Sequence, residues 1–359
     1  MDVVALEASR RELLRAAGAG LVSGGAAALL GGCSAPAGGS PVPVSPTPGS
    51  PAPVSPVSGP PVATTAPTAS RATVARRFDL SAEPRLDLAG VRLHESRRSL
   101  QGIAYDTVNR RLFIAQQRDG RPGADLCINQ LTPAGEVVAH LHVDNAGHGQ
   151  SFGVEPVGSA SVLWLEWDAN ENTTDGRGTA LARFEFVPGR RPEPEILFAA
   201  GVEVGCAIDP VARRLLIRRP EDGRTMYHLY DLEDARKRSP RPIASLQEPA
   251  RLHPGSGPTV LQAFTVLGDF LYTFVGTGGH AGTRRDPFNS YLSAVAVDGG
   301  KVVQQELVTA GRSLVYREPE GLAVDVVNGV PRLCFGFSSQ PTPTSPRRYA
   351  NLFHVDATR

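Results

Sequence analysis

The chain has 359 residues, 41% of them hydrophobic and 20% charged, enough apolar content for one large domain or two small ones. Lysine plus arginine (37) nearly cancels aspartate plus glutamate (36), a balance that gives no electrostatic case for nucleic acid, which needs a basic face. With 31 prolines and 38 glycines the chain is rich in turns, as many short strands require.

Residues 1–33 read as a targeting segment and stand apart from the fold. Ser9-Arg10-Arg11-Glu12-Leu13-Leu14-Arg15 resembles a twin-arginine export signal, and the Ala/Gly-rich stretch after it is short and weakly apolar for a membrane span. It ends in Leu30-Gly31-Gly32-Cys33, which resembles a lipobox with Cys33 as the acylated residue. The expectation is an extracytoplasmic protein held to the membrane by lipid on Cys33.

Residues 34–75 form the next segment. From Ser34 to Ser70 only Ser, Ala, Pro, Gly, Val and Thr occur, a composition that cannot bury a core and predicts a disordered stalk. At roughly 3.1 Å per residue an extended stalk of this length reaches on the order of 100 Å.

The remainder, 76–359, repeats one phrase: a short apolar run opening on a small residue, a polar turn, then a second apolar run. The small residues Gly102, Gly153, Gly205, Ala263 and Gly321 are separated by 51, 52, 58 and 58 positions. A repeat of about 50 residues built of short strands is the signature of propeller blades.

Blade one is expected over Gly102–Tyr105, Arg111–Gln116, Asp125–Leu131 and Glu136–Val143. In the last of these His140 and His142 alternate with apolar residues and read as a solvated strand face. The fifth repeat supplies only Gly321–Val324, Arg332–Phe337 and Asn351–Val355, leaving an open edge that proteins avoid. Arg77–Val91, with Phe78, Leu80, Leu86, Leu88 and Val91, fills it. The prediction is an all-β, five-bladed β-propeller whose last blade is closed by an N-terminal strand.

Cys127, Cys206 and Cys334 each sit in an apolar run with no CxxC spacing, which reads as small buried hydrophobes without disulfide or zinc. No nucleophile, HExxH or phosphate-loop motif is present, and neither a catalytic residue, a cofactor nor a metal is assigned.

The candidate ligand-binding residues are those expected at the tunnel mouth. Gln101, Gln262 and Glu320 precede their anchors. His148 and Gln150 lie in Gly147–Gly153, Glu166 follows Trp164-Leu165, and His280, Arg284 and Arg285 lie in a second glycine-rich loop. Imidazole, amide and guanidinium groups there could donate to phosphate or hydroxyls.

His148-Gly149-Gln150-Ser151-Phe152-Gly153-Val154-Glu155-Pro156, Leu163-Trp164-Leu165-Glu166-Trp167-Asp168-Ala169 and Leu181-Ala182-Arg183-Phe184 resemble the propeller shared by teichoic acid biosynthesis protein C and staphylococcal phage receptor-binding proteins. Gln101–Asp106 and Glu318–Leu322 resemble that family's blade starts. The resemblance covers roughly Phe78 to Val355 and implies five blades and a link to wall teichoic acids or related glycopolymers. The leader and proline stalk depart from a phage fibre.

The expected partner is therefore a cell-wall glycopolymer or sugar, bound by a monomer. The alternatives are a glycan or phosphodiester hydrolase using two of Glu155, Glu166, Asp168, Glu318 and Glu320, or a protein-interaction propeller.

Overall fold

The computed structural model describes residues 77–118, 125–170, 176–237, 239–252, 254, 259–278 and 289–358. Met1–Thr68 and Ala69–Arg359 form separate units, and every described residue lies in the second. The leader, Cys33 and the whole stalk therefore lie outside the described residues, as do His280, Arg284 and Arg285.

Five four-stranded antiparallel sheets account for the described body. Blade one comprises β2 (Leu100–Asp106), β3 (Arg111–Gln117), β4 (Leu126–Leu131) and β5 (Val137–Val143). Blade two has β6 (Gly153–Val157), β7 (Ala160–Ala169), β8 (Gly178–Glu185) and β9 (Glu195–Ala199). Blade three has β10 (Gly205–Asp209), β11 (Arg214–Glu221), β12 (Arg224–Asp231) and β13 (Ala244–Gln247), with one turn of helix at Leu232–Ala235. Blade four has β14 (Val260–Leu267), β15 (Phe270–Gly276), β16 (Tyr291–Ala296) and β17 (Val302–Leu307). In blade five, β18 (Val315–Val327), β19 (Val330–Gln340) and β20 (Tyr349–Asp356) are completed on the outside by β1 (Arg85–Val91), paired to β20. This is a five-bladed β-propeller closed by an amino-terminal strand. The inner strands of blade five run longer than the apolar pattern predicts.

The small anchor residues have a packing cause. A Cβ added to Gly153 would stand 2.6 Å from Ile208 of blade three, and one on Gly321 would stand 3.1 Å from Ile103 of blade one. Gly205 likewise faces Phe264 of blade four. Gly153 and Gly321 are small because the next blade's innermost strand presses on them, whereas Gly102 meets the Gly149 carbonyl of the loop before β6.

The contacts run β2 on β6, β6 on β10, β10 on β14, β14 on β18 and β18 on β2, so the ring closes. Five apolar clusters fill the five gaps between blades. Cys127, Cys206 and Cys334 are buried free thiols, as expected of small hydrophobes.

Polar clamps at the β2–β3 and β10–β11 turns join neighbouring blades. Arg110 and Arg213 hold left-handed backbones there, at φ 56° and 52°. Asp106 accepts from Ser161 Oγ at 2.5 Å, and Asp209 accepts the Gly268 N–H at 2.8 Å. Arg111 donates to the Ser159 carbonyl at 2.9 Å, and Arg214 to that of Gly268 at 3.1 Å.

The ends of the described body meet on this same face. Phe78 bridges Ala357, and the Thr358 N–H donates to the Arg77 carbonyl at 3.1 Å.

Candidate functional site

Gln101, Gln262 and Glu320 lie toward the opposite ends of the innermost strands, and β-bulges aim two of them. The ladder slips between Leu100 and Gly102 and again between Leu261 and Ala263, making Gln101 and Gln262 the extra residues. A bulge redirects its side chain. Gln101 Nε2 donates to the Leu100 carbonyl at 3.2 Å and to Glu320 Oε1 at 3.4 Å, across the seam between blades one and five. Gln262 Nε2 instead donates to the Gly276 carbonyl at 3.2 Å, within its own blade. Burial and then Glu318 push the Glu320 carboxyl well above the usual range, against the pull of Arg177 and Gln101.

The Gly147–Gln150 loop is moulded onto Glu166. This buried carboxylate accepts the backbone N–H groups of Gly149 and Gly178, the latter at 2.8 Å. A side chain at Gly147 (φ 144°) would stand 2.5 Å from Glu166 Oε2, so glycine is needed for the close approach. Burial raises the Glu166 carboxyl, while Arg177 and the loop N–H groups lower it. Glu166 holds the loop and is not presented to a ligand.

Gln150 donates to the Leu261 carbonyl of blade four and accepts from Arg177 Nη1 at 2.8 Å. Half-buried His148 sits with Nδ1 3.3 Å from Gln117 Nε2. The space bounded by Gln150, Glu166, Arg177, Glu203 and Arg218 is only about 10 Å³, roughly the room one water needs. Among the described residues the mouth holds a hydrogen-bonded polar plug. Gln101, Gln150 and Glu320 are among its parts.

Beside the plug the same face carries a rim the sequence did not reveal. Tyr316 holds a left-handed backbone at φ 67°, and Arg348 lays its guanidinium over the Tyr316 ring at 4.3 Å. Next along the chain, Tyr349 is covered by Arg92 at 5.8 Å. A bulky residue with positive φ is uncommon outside strained or functional positions. These residues come from three distant parts of the chain, so no local pattern announces them. Arg177, bracketed by Gly176 and Gly178, had only that glycine bracket as a signal.

The hydrolase candidates are engaged in structure. Glu155 is buried against Trp164 Nε1 and Arg183 Nε, each at 3.0 Å, and also meets Arg236 of blade three. Asp168 (φ 60°) bonds Thr179 and Asn145. A cavity of about 140 Å³ on the opposite face is lined by opposite charges, including Arg110 and Asp325 at 3.8 Å, with Arg332 and Asp87 beside them.

The His140–His142 strand face is not simply solvated. His94 stacks on His140 with ring centroids 3.6 Å apart, covering a face that the alternation alone assigned to water.

Ring closure and blade count define a five-bladed β-propeller. Residues 99–342 match the phage 5-bladed beta propeller receptor binding platform domain, and the chain belongs to that family. The structure is similar to the tail fiber of Staphylococcus aureus phage P68 with a TM-score of 0.61 and 16% identity, over 78% of this chain and 54% of that one. The chain thus spans about half the length of that fiber. A weaker likeness, TM-score 0.38 at 8% identity over 76% of this chain and 97% of the other, is to the N11 neuraminidase-like protein of a flat-faced bat influenza virus. The WD40 domain of Toxoplasma gondii coronin matches at TM-score 0.29 and 12% identity, over 78% of this chain and 86% of that one. No curated protein matches.

Proposed function

We propose that this propeller is a receptor-binding module of the cell surface, and that its ligand is an anionic cell-wall glycopolymer of the teichoic-acid type. The observation that carries the reading is the arginine-covered tyrosine pair, Tyr316 with Arg348 and Tyr349 with Arg92, on the mouth face. Guanidinium groups suit phosphodiesters through paired hydrogen bonds, and stacking on the tyrosine rings orients them. Membership of a receptor-binding platform family supports binding over turnover. The buried, occupied states of Glu155 and Glu166 leave neither as a free acid or base.

The leader completes the proposal: an exported lipoprotein anchored through Cys33, carrying a monomeric propeller on a proline-rich stalk. Lipid labelling of the wild type and of Cys33→Ser tests the anchor, since only the wild type should gain acyl mass. Retention of the full chain on purified wall polymer, compared with an Arg177→Ala/Arg348→Ala double variant, tests the ligand. Undiminished retention by the variant removes the rim from the proposal. Release of soluble product during the incubation would indicate a hydrolase.

A further inference from the structure

We propose that His94, His140 and His142 bind a zinc-type divalent metal ion at the outer edge of blade one, where the chain crosses from blade five into blade one. A ligating nitrogen of each lies within 4.8 Å of the other two. Imidazoles on one tetrahedral zinc, each about 2.0–2.1 Å from the ion, stand roughly 3.4 Å apart. Side-chain rotation closes that difference. His94 can provide it, because it is exposed and touches His140 only through a ring stack with planes at 18°. His142 is tilted against both, with centroids 5.5 Å from His94 and 5.2 Å from His140.

The cluster is built by buried structure. His140 and His142 share one face of β5 because side chains alternate along a strand, and they pair with Asn129 and Cys127 of β4. His94 arrives on the crossover between β1 and β2, which two buried amides pin in place. Asn129 Oδ1 accepts the His94 N–H at 2.9 Å, and Gln116 Oε1 accepts the Glu95 N–H at 3.1 Å. Gln116 Nε2 donates to the carbonyls of Glu95 and Arg98 at 2.9 and 2.8 Å. Asn129 Nδ2 locks the pair by donating to Gln116 Oε1 at 3.0 Å. Next to the imidazoles, Glu95 Oε1 stands 3.4 Å from His142 Nε2. A carboxylate on a ligating histidine orients the ring and raises its basicity.

An all-imidazole set favours zinc and its transition-metal neighbours over magnesium or calcium, which take oxygen. Glu95, Cys127 and His142 form a second grouping of the same spread, but Cys127 is fully buried. The imidazole face is reachable: His140 and His142 line an open depression of about 250 Å³ together with Arg118, Asp144, Arg190 and Arg191. Arg118 is paired to Asp144 at 2.9 Å, which offsets its repulsion of a cation. A bound ion would fasten the crossover to the outermost strand of blade one.

Zinc titration of the full chain, purified without a polyhistidine tag and stripped with chelator, tests this by competition with a chromophoric chelator. One zinc per chain is expected, with no response to magnesium. His94→Ala and His140→Ala should each weaken binding at least about tenfold, since losing even an outer-shell partner costs that much. Cys127→Ser should bind as the wild type does, and zinc should raise the melting temperature of the wild type more than that of His94→Ala. His94 is exposed, so that variant should melt normally in chelator, which checks its folding. Absence of saturable binding, equal affinity in the wild type and His94→Ala, or loss confined to Cys127→Ser overturns the assignment.

Discussion

Arg348 stacks on Tyr316 at 4.3 Å while Tyr316 holds a left-handed backbone, so an unfavourable local conformation is kept at the rim of the mouth. The arginine and the ring each limit the other's freedom. Arg348→Ala is expected to lower affinity for wall polymer about tenfold, or about 1.4 kcal/mol. Arg348→Lys, which keeps the charge but stacks less well, should fall between. Binding isotherms at two salt concentrations check both the loss and its ionic part.

Glu320 makes stability depend on pH. Burial and Glu318 raise its carboxyl in the folded protein, so the folded state holds that proton to higher pH than the unfolded chain does. Its contribution is complete below the unfolded carboxylate range and is lost as pH rises through the folded value. Glu320→Gln cannot ionise and keeps an oxygen for Gln101, so it escapes that loss. Urea unfolding between pH 4 and 8 should show the wild type falling steadily behind the variant. A gap that does not change with pH refutes this.

Arg317 is a buried cation used as a bracket. It donates to the carbonyls of Ala310 and Val308, each at 2.8 Å, and to Ser290 Oγ at 3.2 Å, and it lies over the Phe337 ring at 3.9 Å. Arg317→Met would leave two carbonyls without this donor, at about 1–3 kcal/mol each. A loss of about 3 kcal/mol in unfolding free energy is expected, measured by denaturant titration.

The positions of the blades were legible because packing acts on residue size: where the next blade presses in, as at Gly102, Gly153 and Gly321, only a small residue fits, and that leaves a periodic mark. Closure by residues 78–91 was legible through Phe78, Leu80 and Leu88. The site was harder to read. A bulge adds one residue without changing composition, so the aim of Gln101 and Gln262 could not be foreseen. Glu166 looked like a ligand-facing acid because nothing local shows that its oxygens are taken by loop N–H groups. The Tyr316–Arg348 and His94–His140 contacts join segments far apart in the chain, and alternation along a strand cannot say what covers it.

Phe78 anchors the start of the ring. Its ring is buried, lies edge-on to Tyr272 with centroids 5.1 Å apart, and its N–H donates to the Tyr272 hydroxyl at 3.2 Å. Phe78→Ala should cost about 3–5 kcal/mol. Tyr272→Phe, which removes only the acceptor, should cost about 1 kcal/mol. Thermal melts of both variants give the ranking, and equal costs would mean that the ring contributes no more than the hydrogen bond.

The bridge between Phe78 and Ala357 lies on the face away from the plugged mouth. Arg77, the first described residue, therefore lies beside Thr358 on the face away from the tyrosine rim. Tension between an upstream attachment and a captured ligand would pass through the body and load the Phe78 socket first. An amino-terminal fusion should accordingly leave capture intact, whereas cargo inserted within residues 92–99 should obstruct it.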